Sequence, residues 1–309
     1  MPPKITVVGS FAVGLTMNVP RLPVRGETLL GSGFAMGPGG KGSNQAVGAA
    51  RLGAISRFVA KIGVDNFGDI AVEMYRREGV DITHLKRTSE RATGVGFIIV
   101  GPSGENMITV DIGANLLLSP ADVDAAEALI ADSDVVLSVL EIPIAPAARA
   151  AALARRHGVR MILNPAPAQP LDDDFLRNID ILTPNEGELR VIAGLAPDDP
   201  ADGVAIARSL LARGVGAVVI TRGGDGVTIV AHDAEAVHVP AFPVQPVDTT
   251  GAGDSFNSAL AVALAEGKDL PTAARFAAAA GAFTVTRAGV IPALPTRAEL
   301  EAFIEAARR

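Results

Sequence analysis

The chain has 309 residues, 49% apolar and 20% charged, with 27 Lys and Arg against 34 Asp and Glu for a net charge of −7, 33 Gly, 21 Pro, and no Cys or Trp. That length can bury a large α/β core, and the lack of cysteine excludes a disulfide scaffold, a Cys-ligated zinc or iron–sulfur site and a thiol nucleophile. The acidic balance argues against a general nucleic-acid or anionic-membrane surface, and His84, His157, His232 and His238 stand at no metal-ligand spacing.

The N-terminal run Ile5 to Val8 is too short for a signal segment or a membrane span, so a soluble cytoplasmic protein is expected. Short Val- and Ile-rich runs then alternate with stretches of helical period, the pattern of a doubly wound, mostly parallel α/β sheet flanked by helices. The predicted strands are 4–9, 57–61, 135–140, 160–164, 180–183 and 217–221. The predicted helices are 43–52, 67–78, 121–131, 145–157, 187–193, 202–213, 253–266, 271–286 and 297–307. Residues 12–38 and 92–112 break this rhythm with shorter strands and the turn Gly101-Pro102-Ser103-Gly104, and are expected to form a small β-sheet lid on a single domain spanning 1–309.

Four segments carry chemistry. In Val247-Asp248-Thr249-Thr250-Gly251-Ala252-Gly253-Asp254 the glycines let backbone N–H groups crowd at a helix start, where unpaired donors and the positive dipole end attract an anion. With a phosphoryl group on those amides, Asp254 is placed to take a proton from an attacking hydroxyl; the plainer reading is an acidic residue in the first turn of a helix. Gly37-Pro38-Gly39-Gly40-Lys41-Gly42-Ser43-Asn44-Gln45 satisfies G-x-G-x-x-G formally, but no clean strand leads into it and no acidic residue follows about 20 positions on. It suits gripping the hydroxyls of a small polar ligand through Lys41 and Asn44, or is a glycine turn with Ser43 as helix cap.

Thr183-Pro184-Asn185-Glu186-Gly187-Glu188 lies at a strand end, where Asn185 and Glu188 could hold phosphate-bound Mg²⁺ through water or form a capping box. Thr221-Arg222-Gly223-Gly224-Asp225-Gly226 follows the next strand, as a phosphate loop or as a hairpin into Val227–Val230.

The Gly39–Ala46 and Val247–Asp254 segments, with Thr183-Pro184-Asn185-Glu186 between them and Leu163-Asn164-Pro165-Ala166 and Val285-Thr286-Arg287 beside them, closely resemble the ribokinase or PfkB-type carbohydrate kinases over essentially the whole chain. The resemblance implies ATP- and Mg²⁺-dependent phosphorylation of a sugar hydroxyl, D-ribose by default, and a homodimer formed through the lid. It implies Asp254 as catalytic base, with Gly251, Ala252 and Gly253 as the anion hole. Gly40, Lys41, Gly42, Ser43, Asn44 and Glu141 are implied as sugar contacts, Asn185 and Thr221–Gly226 as the ATP site with Gly253, and Glu188 as the residue linked with Mg²⁺. Asp248, Thr250, Val285, Ala288 and Val290 occupy the positions of a monovalent-cation (K⁺) site.

This chain departs from the pattern at the turn after the first strand. Ribokinases proper read Gly-Ser-x-Asn-x-Asp there, and the Asn and Asp hold sugar hydroxyls; here the turn is Gly9-Ser10-Phe11-Ala12-Val13-Gly14. Ala12 and Gly14 cannot make those bonds, which points to another acceptor such as a nucleoside, a ketose or a deoxy sugar acid, with Asp111 as a candidate substitute contact. Ala278 and Ala293 stand where the family has a His near the adenine and a Ser near the cation. Two other classes remain in view: a non-catalytic sugar or nucleotide sensor, which the missing polar pair would suit, and a dinucleotide-dependent oxidoreductase, suggested by Gly37-x-Gly39-x-x-Gly42.

Overall fold

Parallel strands cannot be joined by tight turns, so a chain built from Val-rich runs separated by helical stretches must cross over with a helix each time. The computed structural model, which describes residues 1–308, follows that rule. The N-terminal half contains β1 (Lys4–Val8), β2 (Ala12–Asn18), β3 (Ser32–Gly39), α1 (Lys41–Arg51), β4 (Ile55–Gly63), α2 (Asn66–Glu78), β5 (Leu85–Thr88), β6 (Gly94–Val100) and β7 (Asn106–Asp111). Next come α3 (Pro120–Asp124), α4 (Glu127–Ala131), β8 (Val135–Val139), α5 (Ile144–His157), β9 (Arg160–Asn164), α6 (Asp173–Leu176), β10 (Ile181–Leu182), α7 (Glu186–Ile192) and α8 (Gly203–Ala212). The C-terminal part adds β11 (Ala217–Thr221), β12 (Val227–Ala231), β13 (Val237–Val239), α9 (Ala252–Ala265), α10 (Leu270–Val285) and α11 (Arg297–Ala306).

Nine strands form one sheet in the order β13-β12-β11-β10-β9-β8-β1-β4-β5, parallel except where β12 and β13 turn back antiparallel. All five residues of β8 are buried, as expected of a central strand covered on both faces. Two apolar cores flank the sheet: one gathers α1, α2, α9 and α10 around Phe11, Phe58 and Tyr75, the other packs α5, α7 and α8 against Val136, Leu163 and Val218. Each fully buried Val, Leu or Ile contributes roughly 1.5–3 kcal/mol, so these runs fix which strands lie at the centre.

The two segments that break the rhythm form a separate four-stranded sheet, β3-β2-β6-β7. Val13 is buried in the first core and Leu15 packs on it, so Ala12 and Gly14 share the opposite face of β2. Asn115 ties this sheet to the body: its side chain accepts from Phe11 N at 2.9 Å and donates to Phe11 O and Ile112 O, each at 2.7 Å.

Three features differ from the sequence expectation. The single helix expected at 121–131 is two short helices broken at Ala125–Ala126, which lets Val123, Ala126 and Ile130 all be fully buried. The edge strands β5 and β13 have no counterpart in the periodicity, because a four-residue and a three-residue strand are too short to show one. A strand does lead into this segment, since β3 ends at Gly39 and α1 begins at Lys41, but Gly37 and Gly39 lie within that strand, which pairs antiparallel in the small sheet, so the G-x-G-x-x-G match lacks the parallel βαβ context of a dinucleotide site.

Candidate active site

The sheet grows outward in opposite directions from β1 and β8, so a crevice opens beyond their C-terminal ends. The polar residues after successive strands collect on that edge: Ser10 after β1, Glu141 after β8, Asn164 at the end of β9, Asn185 after β10 and Thr221 at the end of β11.

On one side of the crevice the turn after β1 interlocks with the start of α1. Gly40 has φ 91°, and a Cβ there would lie 2.8 Å from Ala12 N; a Cβ on Gly42 would lie 2.5 Å from Ser10 N. Both positions therefore require glycine for the close approach. Glu141 Oε2 accepts from Ser10 Oγ at 2.5 Å and from Lys41 N at 2.8 Å, which fixes its carboxylate beside the helix start.

Two residues expected as sugar contacts are used otherwise. Gly42 serves the packing just described. Ser43 is fully buried inside α1, its N–H donates to Ser10 O at 2.9 Å, and its hydroxyl lies beside the buried phenol of Tyr75. Nor is Ser43 the helix cap, since α1 starts at Lys41 with Gly40 in the cap position.

The opposite wall is α9. Gly48 of α1 meets Ser258 of α9 so closely that a Cβ at 48 would lie 2.4 Å from Ser258 Oγ and 2.9 Å from its Cβ. One helical turn toward each N-terminus the same two faces bring Asn44 and Asp254 together. Asn44 Nδ2 donates to Asp254 Oδ2 at 2.7 Å and Gln45 Nε2 to Asp254 Oδ1 at 3.2 Å, and Asp254 is only 6% exposed. Burial pushes the Asp254 carboxyl above the ordinary carboxylate range; Lys41 and the two amides favour its charged form, and Glu141 opposes it. Burial also works against the charge on Lys41, but Asp254, Glu141 and Glu188 outweigh it and hold that ammonium above the usual lysine value. Glu188 is raised chiefly by burial, with Asp254 adding to the rise against Lys41 and the Asn185 N–H.

Gly251 opens α9 in the left-handed region at φ 81°, and a Cβ there would strike Val290 at 2.7 Å. The Ala252 N–H makes only a long contact, 3.4 Å, with Thr249 O. Among the described residues the Gly251, Gly253 and Asp254 N–H groups have no backbone partner, and a Cβ on Gly253 would point into open space. These are the donors a helix N-terminus offers to an anion.

Two cavities meet at this point. A polar one of about 360 Å³ is lined by Lys41, Asn164, Asn185, Glu188, Asp254 and Asn257, among others. An apolar one of about 510 Å³ is lined by Gly223, Gly224, Gly226, Phe242, Phe256 and Ala278, among others, and the two share Thr221, Thr249 and Gly253. Asn185 and Glu188 form a reciprocal capping box, each backbone N–H donating to the other's side chain at 2.8 Å, while both side chains line the polar cavity. The 221–226 loop forms the hairpin between β11 and β12, and its Thr221, Gly223, Gly224 and Gly226 also line the apolar cavity. Arg222 and Asp225 are not in that wall; Arg222 lies 3.6 Å from Glu186.

The positions implied for a monovalent cation converge on one pair of loops, where three of them already accept from the chain. Asp248 accepts from Thr250 N at 2.9 Å and Gly289 N at 3.0 Å; Val285 O takes both Val247 N and Asp248 N; Val290 O takes Ala293 N. Both lone pairs of Val285 O are engaged, while the Asp248 oxygens and Val290 O keep acceptor capacity. Asp111 is no substitute acceptor contact: it pairs with Val95, on the face of the small sheet opposite Ala12 and Gly14, and binds Gly113 N at 2.9 Å.

The sequence pattern did not single out Ser10, Gln45, Asn164 or Asn257, although all four are buried and hydrogen-bonded at the site. Their only signal was a polar residue inside or beside an apolar run.

The sequence profile of the pfkB family carbohydrate kinases matches residues 2–297. Over 305 residues the chain is 42% identical to a ribokinase of Haemophilus influenzae, covering 99% of both chains. It is 36% identical to a deoxyribokinase of Salmonella typhi over 294 residues, 94% of this chain and 95% of that one. The structure of Arabidopsis thaliana ribokinase complexed with ribose and ATP superposes with a TM-score of 0.90 at 30% identity, covering 99% of each chain. The match from end to end, joined to an acidic residue at a glycine-rich helix start, identifies the chain as a member of the pfkB family of carbohydrate kinases, a ribokinase-like ATP-dependent sugar kinase.

Proposed function

We propose that the protein transfers the γ-phosphoryl group of ATP to a hydroxyl of a pentose, with D-ribose as the first acceptor to test. One observation carries the reading: Asp254, buried and held by two side-chain amides, stands in the wall of the polar cavity beside unpaired N–H groups of the α9 N-terminus. Asp254 takes the proton of the acceptor hydroxyl as its oxygen attacks the γ-phosphorus, and the bond to the oxygen retained by ADP breaks. The first-turn amides at Gly251–Gly253 face the charge on the transferred group. Lys41, Asn44 and Glu141 grip the acceptor, and the lid sheet excludes water.

The apolar cavity suits the adenine, with Asn185 and the Thr221–Gly226 loop toward the phosphates. Glu188 fits a Mg²⁺ held through water, since a buried carboxylate with a raised proton affinity beside Asp254 gains from a cation nearby. That ion would neutralise phosphate charge. No step of this reading runs through a monovalent cation. Phe34, Met36, Phe97 and Met107 lie exposed on one face of the small sheet, and a second copy covering that face makes the protein a dimer. The cytoplasm, where ATP is available, is the compartment this activity needs.

A second reading rests on Ala12 and Gly14, which leave no side-chain partner for hydroxyls on the lid side and suit a deoxy sugar; the Salmonella relative is named a deoxyribokinase. A coupled ADP-release assay over ribose, 2-deoxyribose, hexoses, ketoses, sugar acids and nucleosides decides between acceptors. Turnover greatest with ribose supports the first reading, and turnover greatest with 2-deoxyribose the second. No ADP release with any of them would leave a sensor.

A further inference from the structure

A chain of buried amides and one hydroxyl runs from the Asp254 carboxylate back to the helix that carries it. Gln45 Nε2 contacts both Asp254 Oδ1 at 3.2 Å and Asn164 Oδ1 at 3.1 Å. Asn164 Nδ2 donates to Thr183 O at 3.3 Å, Thr183 Oγ1 donates to Asn257 Oδ1 at 2.6 Å, and Asn257 Nδ2 donates to Gly253 O at 2.8 Å. Every side chain in the chain is under a tenth exposed. It therefore joins α1, the ends of β9 and β10, and the first turn of α9 in a closed loop around the site.

The orientation of each amide is dictated. An ionised carboxylate and a backbone carbonyl only accept. Gln45 must present its NH₂ to Asp254, so Asn164 must turn its oxygen to Gln45 and its NH₂ to Thr183 O. Asn257 must likewise turn its NH₂ to Gly253 O and its oxygen to the Thr183 hydroxyl. Among the described residues Gln45 Oε1 is left buried with no hydrogen-bond partner, a cost that an apolar residue of the same length would not carry. A glutamine kept at that cost is explained if the NH₂ it points at Asp254 is needed.

We propose that Gln45 is a positioning residue for the reaction: locked by the Asn164–Thr183–Asn257 relay, its amide holds Asp254 in the rotamer and the ionised form that receive the acceptor proton. This rests on the reading of Asp254 as base. The charged groups around Asp254 are Lys41 from α1, Glu141 after β8 and Glu188 from α7, one cation and two carboxylates. Burial already raises the Asp254 carboxyl, so losing a donor to its charged form raises it further.

The test is Gln45→Met, which keeps the length and removes the donor. The expected result is kcat lowered about tenfold or more, acceptor KM changed less than about threefold, and the acidic limb of the kcat profile moved about one pH unit upward. Asn164→Ala, at the cavity wall, gives a smaller shift of the same sign, and combining it with Gln45→Met adds nothing, because Asn164 acts through Gln45. An unmoved acidic limb with kcat within twofold in either single variant overturns the proposal. The Asp254 titration read by carboxyl ¹³C NMR, assigned with Asp254→Asn, should move upward in the same way in Gln45→Met, and it needs no turnover. A preparation that phosphorylates no acceptor would thus count against the kinase reading alone.

Discussion

Gly48 on α1 and Ser258 on α9 are packed with no space for a side chain between them, a Cβ at 48 falling 2.4 Å from the serine oxygen. That contact sets the distance at which Asn44 and Asp254 meet one turn away. Gly48→Val forces the helices apart: overpacking costs about 1–3 kcal/mol, and a displacement of about 1 Å at the base costs about 10²-fold in rate. Thermal melting and turnover should fall together. Wild-type turnover in a stably folded variant would show that the interhelical spacing does not control the site.

Asp254→Asn removes the base and leaves the shape. Turnover should drop by about 10²–10⁴-fold with an unchanged circular dichroism spectrum. Full activity would remove Asp254 from the mechanism.

The raised proton affinities of Asp254 and Glu188 have a consequence for stability. A carboxyl whose folded pKa lies above its unfolded value binds more protons in the native state across that window, so stability falls as pH rises through it. The ionised buried acid is then a cost near neutral pH. Asp254→Asn should melt no lower than wild type near neutrality, and its advantage should shrink as the buffer is acidified through the Asp254 pKa. A variant that melts below wild type at neutral pH, or whose advantage grows in acid, would contradict this sign. Because the base must be ionised to work, the acidic limb of kcat should also lie above the ordinary carboxylate range.

Acceptor choice should be controlled at Ala12 and Gly14. A Cβ on Gly14 would find only Ile98 Cδ1 at 3.5 Å and Gly37 O at 3.8 Å, and its φ is not in the left-handed region, so a side chain fits. Installing Ala12→Asn and Gly14→Asp should raise kcat/KM for D-ribose over 2-deoxyribose, each new hydrogen bond contributing about 1 kcal/mol, roughly fivefold. Competition between the two sugars in one assay measures the ratio directly. An unchanged ratio would mean that neither position faces the acceptor.

If a second copy covers the exposed face of the small sheet, Phe97→Glu should split the dimer. Light scattering would report a monomer, and a wild-type protein already monomeric would refute the interface.

The sequence by itself determined the class of fold, the order of most strands and helices, and the segments that gather at the sheet's C-terminal edge. It could do so because burial writes a period on Val-rich strands and amphipathic helices, and because close backbone approach admits only glycine, as at Gly40 and Gly251. Only the tertiary structure decided what individual side chains do within those segments. Ser43 sits in a motif that reads as sugar contact, yet it faces Tyr75, because the face of α1 it occupies is set by where α2 packs. Asn185 and Glu188 proved able to cap a helix and line a cavity at once. Gln45, Asn164 and Asn257 lie 93 or more positions apart along the chain, beyond the range of any local pattern, and join one hydrogen-bonded loop only because three separate crossovers return to the same edge of the sheet.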